Sequence, residues 1–292
     1  MPHLKAWQEA HHFPFDFSTE ASINIADDRE LLALMRECGF FALFVGIESP
    51  DADTLVAMKK KQNTRRSLTE GVQRIYDAGM FVTAGFILGF DSETGSVARP
   101  MADFIEEAAM PVAMVGLLYA LPNTQLTRRL LAEHRLYEGH DVHAKATADQ
   151  CSGLNFETAR PRRAILEDYR QVLERIYDPV RFCARVERLI ARLNWSRQPR
   201  PYHPGDLRRR HGIEAVQRLV SQHPEWNNLL WDTFVRCYRI NPRAVRQTVS
   251  LLAFFLHLGP YARHVARETE RAIAAIDAGT FTPPPLVPAT AS

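Results

Sequence analysis

Two apolar runs, each leading into polar residues, constrain this chain most. They are Phe40–Ser49 (FFALFVGIES) and Met80–Phe90 (MFVTAGFILGF), the second followed by Asp91. Both are nearly continuous rather than alternating. A strand of a parallel sheet that is covered on both faces reads this way. PVAMVGLLYAL (Pro111–Leu121) has the same character, and FDFSTEASINI (Phe15–Ile25) alternates at period two, so four strands are expected. Helical patterns lie between them. ADDRELLALMRECG offers Asp27 as N-cap, Leu31, Leu32, Leu34 and Met35 as the apolar face, and Gly39 as the stop. Pro50 is positioned to open a short helix. A longer helix runs from about Thr64 to Asp77 with Gly79 at its end, and another from about Val97 to Ala109. After the fourth strand, Asn123 or Thr124 caps a further helix. Strands separated by helices of this length predict βαβ units and a parallel sheet. Four units fit half of a closed barrel, most of a partial barrel, or an open doubly wound sheet, and periodicity does not choose among these.

Beyond this region the pattern changes. Glu138–Thr158 is polar and reads as a linking loop. Arg163–Tyr177 and Pro179–Trp195 are amphipathic helices broken at Tyr177–Pro179. Ser196–His211 is rich in Pro and Arg and reads as a second linker. Helices follow at about Gly212–Gln222, Glu225–Arg239, Pro242–Leu258 and Tyr261–Ala278. The expected fold is α/β, with parallel strands as in half of a partial (βα) barrel, followed by an all-α C-terminal region. The expected division is 1–137 for the strand-bearing part, 138–195 for linker and helical domain, 196–281 for additional helices, and 282–292 for a disordered Pro-rich tail.

Bulk properties exclude several classes. Over 292 residues the formal net charge is +2, so no global field points to nucleic acid. The basic clusters Lys59–Lys61 with Arg65–Arg66, and Arg197–Arg210, read as solvated surface. Cys38, Cys151, Cys183 and Cys237 are far apart, with neither CxxC nor CxxxC spacing, which argues for a reducing compartment and against a disulfide framework. The longest apolar candidate, Val249–Leu258, is short of the roughly 18–20 residues that span a bilayer. The N-terminus lacks a signal-peptide pattern. A cytoplasmic protein without a transmembrane segment is expected. The chain reaches its first strand almost at once, as a complete domain or a piece of a longer parent would.

Parallel α/β sheets bind ligands where strand C-termini converge. The polar residues expected there are Glu20, Ser22 and Asn24 on the first strand, Glu48 and Ser49 on the second, Asp91 and Glu93 after the third, and Tyr119 and Asn123 after the fourth. Glu48 is the sharpest: a carboxylate at the end of a dry strand accepts hydrogen bonds from ribose hydroxyls or an amine. Glu48 and Ser49 equally suit a cap for the following helix. Gly85 and Gly89 mark either close approach of a ligand to the backbone or a tight barrel corner. His11–His12 and His140/His143 read as solvated loop residues, and Cys38 and Cys183 as buried helix-face residues. The chain contains none of the patterns GxGxxG, GxSxG, P-loop or HExxH.

At these residues the sequence resembles a family. FFALFVGIESPDADTLVAMKKKQNTR followed by GMFVTAGFILGFDSE is similar to the second half of radical S-adenosylmethionine (SAM) domains, especially those that follow a cobalamin-binding domain. STEASINIADD resembles their third barrel strand, VGIES the fourth, GFILGFDSE the fifth and VAMVGLLYALPNTQL the sixth. LNFETARPRRAILEDYRQVLERIYDPVRFCARV resembles the helical domain that follows the barrel in a bacterial subgroup that includes proteins of hopanoid-lipid gene clusters. The resemblance covers about residues 5–195. It implies SAM as cofactor, with Glu48 and Ser49 toward its ribose and methionine parts and Glu20 and Ser22 also in the cofactor site. Gly85 and Gly89 would line the adenine, and Tyr119 and Asn123 the rim. It implies a radical reaction for C–H modification or methyl transfer on a small-molecule or lipid-like substrate. The family's CxxxCxxC loop is absent from this sequence. A 4Fe–4S cluster is therefore expected only with ligands from a missing or separate N-terminal part. Cobalamin is expected only in a full-length parent. A companion chain or N-terminal domain is the expected partner, and the isolated chain is expected to be inactive. The alternative is a non-catalytic half-barrel that pairs with another chain. In either case Phe15–Ile25 would be an edge strand with no Lys and no Pro after Pro14, open to pairing.

Overall fold

The computed structural model describes residues 1–49, 68–139, 153–195, 218 and 221–288. The expected short helix from Pro50, both basic clusters, Cys151, the linker at 196–211 and most of the helix at 212–222 lie outside these residues.

The four strands are β1 (Phe17–Ala21), β2 (Phe40–Glu48), β3 (Phe81–Leu88) and β4 (Val112–Leu117). They form one all-parallel sheet in the order β1-β2-β3-β4. The crossovers carry α2 (Arg29–Cys38), α3 (Leu68–Asp77) and α4 (Ala98–Glu107). Gly39 ends α2 at φ 101°, and Gly79 follows α3 at φ 86°, a conformation that favours glycine. α1 (Pro2–Ala10) is joined to this unit by Gln8. Its buried amide donates to the carbonyls of Phe15 at 2.8 Å and Cys38 at 2.9 Å.

The first strand is shorter than its alternation suggests. It stops at Ala21, and Ile23–Asp27 forms a 3₁₀ turn in which Ile23 and Ala26 are buried. Ile23 lies 3.2 Å from the position a Cβ would take at Gly71 of α3. Ser22, Asn24, Asp27 and Asp28 are turn formers, and their preference overrides the period-two pattern. The α2 cap is Asp28 rather than Asp27: its carboxylate accepts from Leu31 N–H at 2.8 Å.

α5 (Gln125–Ala132) is capped by Thr124, whose hydroxyl accepts from Thr127 N–H. Among the described residues, the chain from Arg162 onward contains helices and no strand: α6 (Arg162–Ile176), α7 (Pro179–Arg192), α8 (Asn227–Ile240) and α9 (Val245–Asp277). α6 packs directly on β3 and β4, so the helical region abuts the sheet instead of standing apart. The two last expected helices are one. Pro260 sits inside α9 without ending it, because tertiary burial of Leu256, Gly259 and Ala262 on the side facing its neighbours outweighs the one lost backbone hydrogen bond. The Pro-rich end is also not wholly disordered. Glu138 N–H donates to Pro285, and Val287 N–H donates to Leu136.

One core runs through both regions. Leu43, Val45, Ile47, Val82, Ala84, Phe86 and Leu88 are buried on one side of the sheet, and the core continues through Val172, Ile176, Phe182, Val186 and Phe255.

Candidate functional site

Along β2 and β3 burial alternates. Phe44, Gly46 and Glu48, and Thr83, Gly85 and Ile87, are half-buried, while their neighbours are buried. Paired residues of a parallel ladder share a face, so register places these side chains together. Glu20 pairs with Phe44, Phe44 with Thr83, Gly46 with Gly85, Gly85 with Met114 and Ile87 with Gly116. The opposite face packs on helices, as in the contact of Phe86 with Phe104 of α4. The less covered face is apolar. Gly46 and Gly85 pair across β2 and β3, the β4 partner of Gly85 is Met114, 53% exposed, and Gly116 lies two residues further along β4, opposite Ile87. A Cβ at Gly116 would meet nothing within 4 Å, and a Cβ at Gly85 would come 3.0 Å from the Phe44 ring.

Glu48 ends β2 half-buried, as Gly46 is, but it pairs with Phe86, whose side chain lies on the covered face. It has φ 68°, and the β2–β3 register shifts between Gly46 and Glu48. A left-handed non-glycine residue costs about 1–3 kcal/mol and persists where the surroundings enforce it. Ser49 is buried, and its N–H donates to the Ile47 carbonyl at 2.9 Å. Glu20 shares the face but lies on the exposed edge strand, and Ser22 is exposed at the start of the 3₁₀ turn. Tyr119 is half-buried beyond β4. Asn123 is exposed at φ 64° in the turn before α5.

The structure separates Gly85 from Gly89. Gly89 has φ 101°, and a Cβ there would lie 2.7 Å from Leu154, on the side of the helical region. Its glycine is required by backbone and packing. The nearby acids are likewise engaged within the protein. Asp91 accepts from Arg135 through both oxygens, at 2.7 and 2.9 Å, and from Arg129 at 2.7 Å. The hydrogen bonds from Arg135 hold its carboxyl below the usual carboxylate range.

Glu93 is part of a buried cluster that the sequence did not reveal. Its Oε1 accepts from Gly89 N–H at 2.9 Å and Phe90 N–H at 3.2 Å, and its Oε2 pairs with Arg160 at 2.7 Å. Arg160 reaches Asp168 of α6 at 2.7 Å, and Asp168 also accepts from Ser96 Oγ and Val97 N–H. Burial pushes the Glu93 carboxyl up, against the lowering effect of the Gly89 N–H and Arg160. Asn155 clamps the next loop: its side chain accepts from Ala120 N–H and donates to Ala120 O. The sequence signal for these clamps is only an asparagine in the polar linker and an arginine just beyond it.

Cys38, Cys183 and Cys237 are buried. Burial raises each thiol, that of Cys237 to about 11. Among the described residues no three His, Cys, Asp or Glu side chains gather to hold a metal. No described helix is long and apolar enough to cross a membrane.

A family model described as a domain of unknown function, DUF4070, matches residues 124–271, just over half of the chain. An uncharacterized methyltransferase of Synechocystis is 35% identical over 265 residues, covering 91% of this chain and 49% of that protein. A hopanoid C-2 methylase of Rhodopseudomonas palustris is 32% identical over 236 residues, covering 81% of this chain and 41% of the methylase. A putative methylthiotransferase of Methanocaldococcus jannaschii is 29% identical over 118 residues, covering 39% of this chain and 26% of its own length. Among solved structures, a cobalamin-dependent SAM radical enzyme, OxsB, aligns over 92% of this chain and 44% of its own. The TM-score is 0.37 with 12% identity, too distant to carry weight. The chain thus spans about half the length, or less, of the curated relatives it matches.

Proposed function

The chain belongs to the DUF4070 family, the C-terminal region of cobalamin-associated radical SAM proteins, and on that premise we propose that it forms the SAM-facing half of a radical SAM methyltransferase. The observation that carries this reading is the less covered face of β2, β3 and β4, with Gly46, Gly85 and Gly116 on successive strands and the left-handed Glu48 at the end of β2. A flat heterocycle needs backbone it can approach closely, and the open space over Gly116, diagonal to Gly85 and Gly46, provides a band for it. Phe44, Ile87 and Met114 supply apolar contact around that band. The Glu48 carboxylate, at the strand end, accepts hydrogen bonds from ribose hydroxyls or the methionine ammonium. Ser49, Tyr119 and Asn123 border the same end of the sheet, and Glu20 and Ser22 extend it toward the β1 edge. Gly89 acts indirectly: Glu93 holds its N–H and so fixes the turn after β3.

What SAM supplies when bound is a methyl group and, on one-electron reduction, a carbon-centred radical. A 4Fe–4S cluster as reductant does not fit the described residues, since their three cysteines are buried with raised thiol pKa values and no three possible ligands gather. Its ligands, and any cobalamin, would belong to another part of the protein. A lipid-like substrate is in keeping with the hopanoid methylase among the relatives. In this reading β1, exposed at Ser18, Thr19 and Glu20, is where the remaining strands add. The same free edge would serve the alternative, a non-catalytic half-barrel that pairs with another chain.

Equilibrium dialysis of the chain with SAM tests the assignment. Gly116→Val projects into open space, so it should weaken SAM binding without lowering the thermal midpoint. Glu48→Gln should weaken binding with the fold intact. SAM affinity unchanged in both variants, or absent from the parent chain joined to its N-terminal part, refutes the reading.

A further inference from the structure

Helix α8 presents more apolar surface than the fold buries. Leu230, Thr233 and Cys237 form its core side. On the adjoining flank Trp231, Phe234 and Tyr238 follow one another at helical spacing and stack, with ring centroids 5.5 and 6.4 Å apart. Trp231 is 63% exposed and Tyr238 52%. The next helix, α9, adds exposed Phe254 and Tyr261. Exposed apolar residues scattered singly are ordinary, whereas a stacked run of aromatics marks an interaction surface.

Charge says what kind of surface it meets. From Asn227 to Arg267 the chain carries six arginines and one acid, Asp232, while Glu268, Glu270, Arg271 and Asp277 follow in the last turns of α9. Arg236 and Arg246 pair with Glu187 and Asp16, and Arg263 lies over the Trp226 ring. Arg239, Arg243 and Arg267 are exposed. Two copies of so positive a face repel each other, which disfavours a symmetric dimer through it. Trp and Tyr have an apolar body with a polar edge and settle at the headgroup level of a bilayer, while arginines draw the surface to anionic lipid. We propose that the α8–α9 face docks on an anionic lipid surface. The contact is peripheral, by side-chain insertion beside a cationic rim. It stands independently of the SAM reading, because it uses none of the residues of the sheet face.

Co-sedimentation of the full chain with vesicles tests it, comparing phosphatidylcholine alone with phosphatidylcholine mixed with phosphatidylglycerol. The chain should bind the mixed vesicles more tightly and lose binding as salt rises. At roughly fivefold per basic residue near the surface, Arg239→Gln/Arg243→Gln should weaken that binding about 25-fold. Trp231→Ser/Tyr238→Ser should also release the chain. Both pairs are exposed, so circular dichroism, thermal midpoint and SAM binding should not change. No vesicle binding at low salt would overturn the proposal, as would binding that neither pair alters. So would a dimer, seen by light scattering, that the aromatic pair converts to monomer, since a second copy would then be the occupant.

Discussion

Replacing Arg160 by methionine should destabilise the fold by about 3 kcal/mol, the lower end of what breaking a buried ion pair costs. The magnitude follows from the surroundings. The side chains of Glu93, Arg160 and Asp168 are 2%, 11% and 5% exposed. Without the guanidinium, two carboxylates remain buried with no opposing charge. Each keeps other donors: Glu93 the N–H groups of Gly89 and Phe90, Asp168 the Ser96 hydroxyl and the Val97 N–H. These donors hold the cost near 3 rather than 5 kcal/mol. Urea denaturation reads it directly, and the thermal midpoint should fall by about 6–12 °C. Hydrogen exchange should quicken at Gly89 and Phe90, because Glu93 positions their amides. In Glu93→Gln/Arg160→Met/Asp168→Asn the uncompensated charges are gone, and much of the stability should return. A loss below about 1 kcal/mol for Arg160→Met, the range of exposed ion pairs, would refute a buried clamp. A triple variant no more stable than the single one would show that packing, not charge, sets the cost.

Other outcomes are equally checkable. Glu48→Gly should leave stability equal or slightly higher in chemical denaturation, because the φ of 68° strains glutamate and not glycine, while SAM affinity measured by dialysis should fall. Gly79→Ala should lower stability by more than about 1 kcal/mol, since its Cβ would collide with the Asn194 carbonyl oxygen at φ 86°; an unchanged urea midpoint would contradict the packing. Asp91 titrates lower in the folded chain than its ordinary 3.8 because of Arg135. The stability it contributes is therefore complete above that value and lost as pH falls through the folded pKa. Asp91→Asn should accordingly flatten the acid limb of the stability–pH profile and lower the plateau at neutral pH.

Much of the strand-bearing part was legible because its signals are local. A strand sealed in a sheet must be apolar along its whole length, so FFALFVGI and MFVTAGFIL marked β2 and β3 by composition alone. Gly39 and Gly79 marked helix ends because few other residues accept their positive φ. Local signals failed where two of them competed. At Ser22–Asp28 turn formers overrode the alternation, and at Gly259–Pro260 burial carried one helix through a proline.

What the tertiary structure decided was the use of the polar residues. Glu48, Asp91 and Glu93 look alike in sequence, each an acid near the end of a buried strand. Glu48 ends β2 half-buried, beyond a register shift that pairs it with Phe86, and Asp91 and Glu93 are held by Arg135 and Arg160, 44 and 67 residues away along the chain. The same holds for the two glycines of GFILG: Gly85 lies against the Phe44 ring and Gly89 against the Leu154 side chain. The physical reason is that a carboxylate reads the same in sequence whatever partner the fold brings to it. Only the packing of the loops after β3 and before α6 brings Arg135 to Asp91 and Arg160 to Glu93.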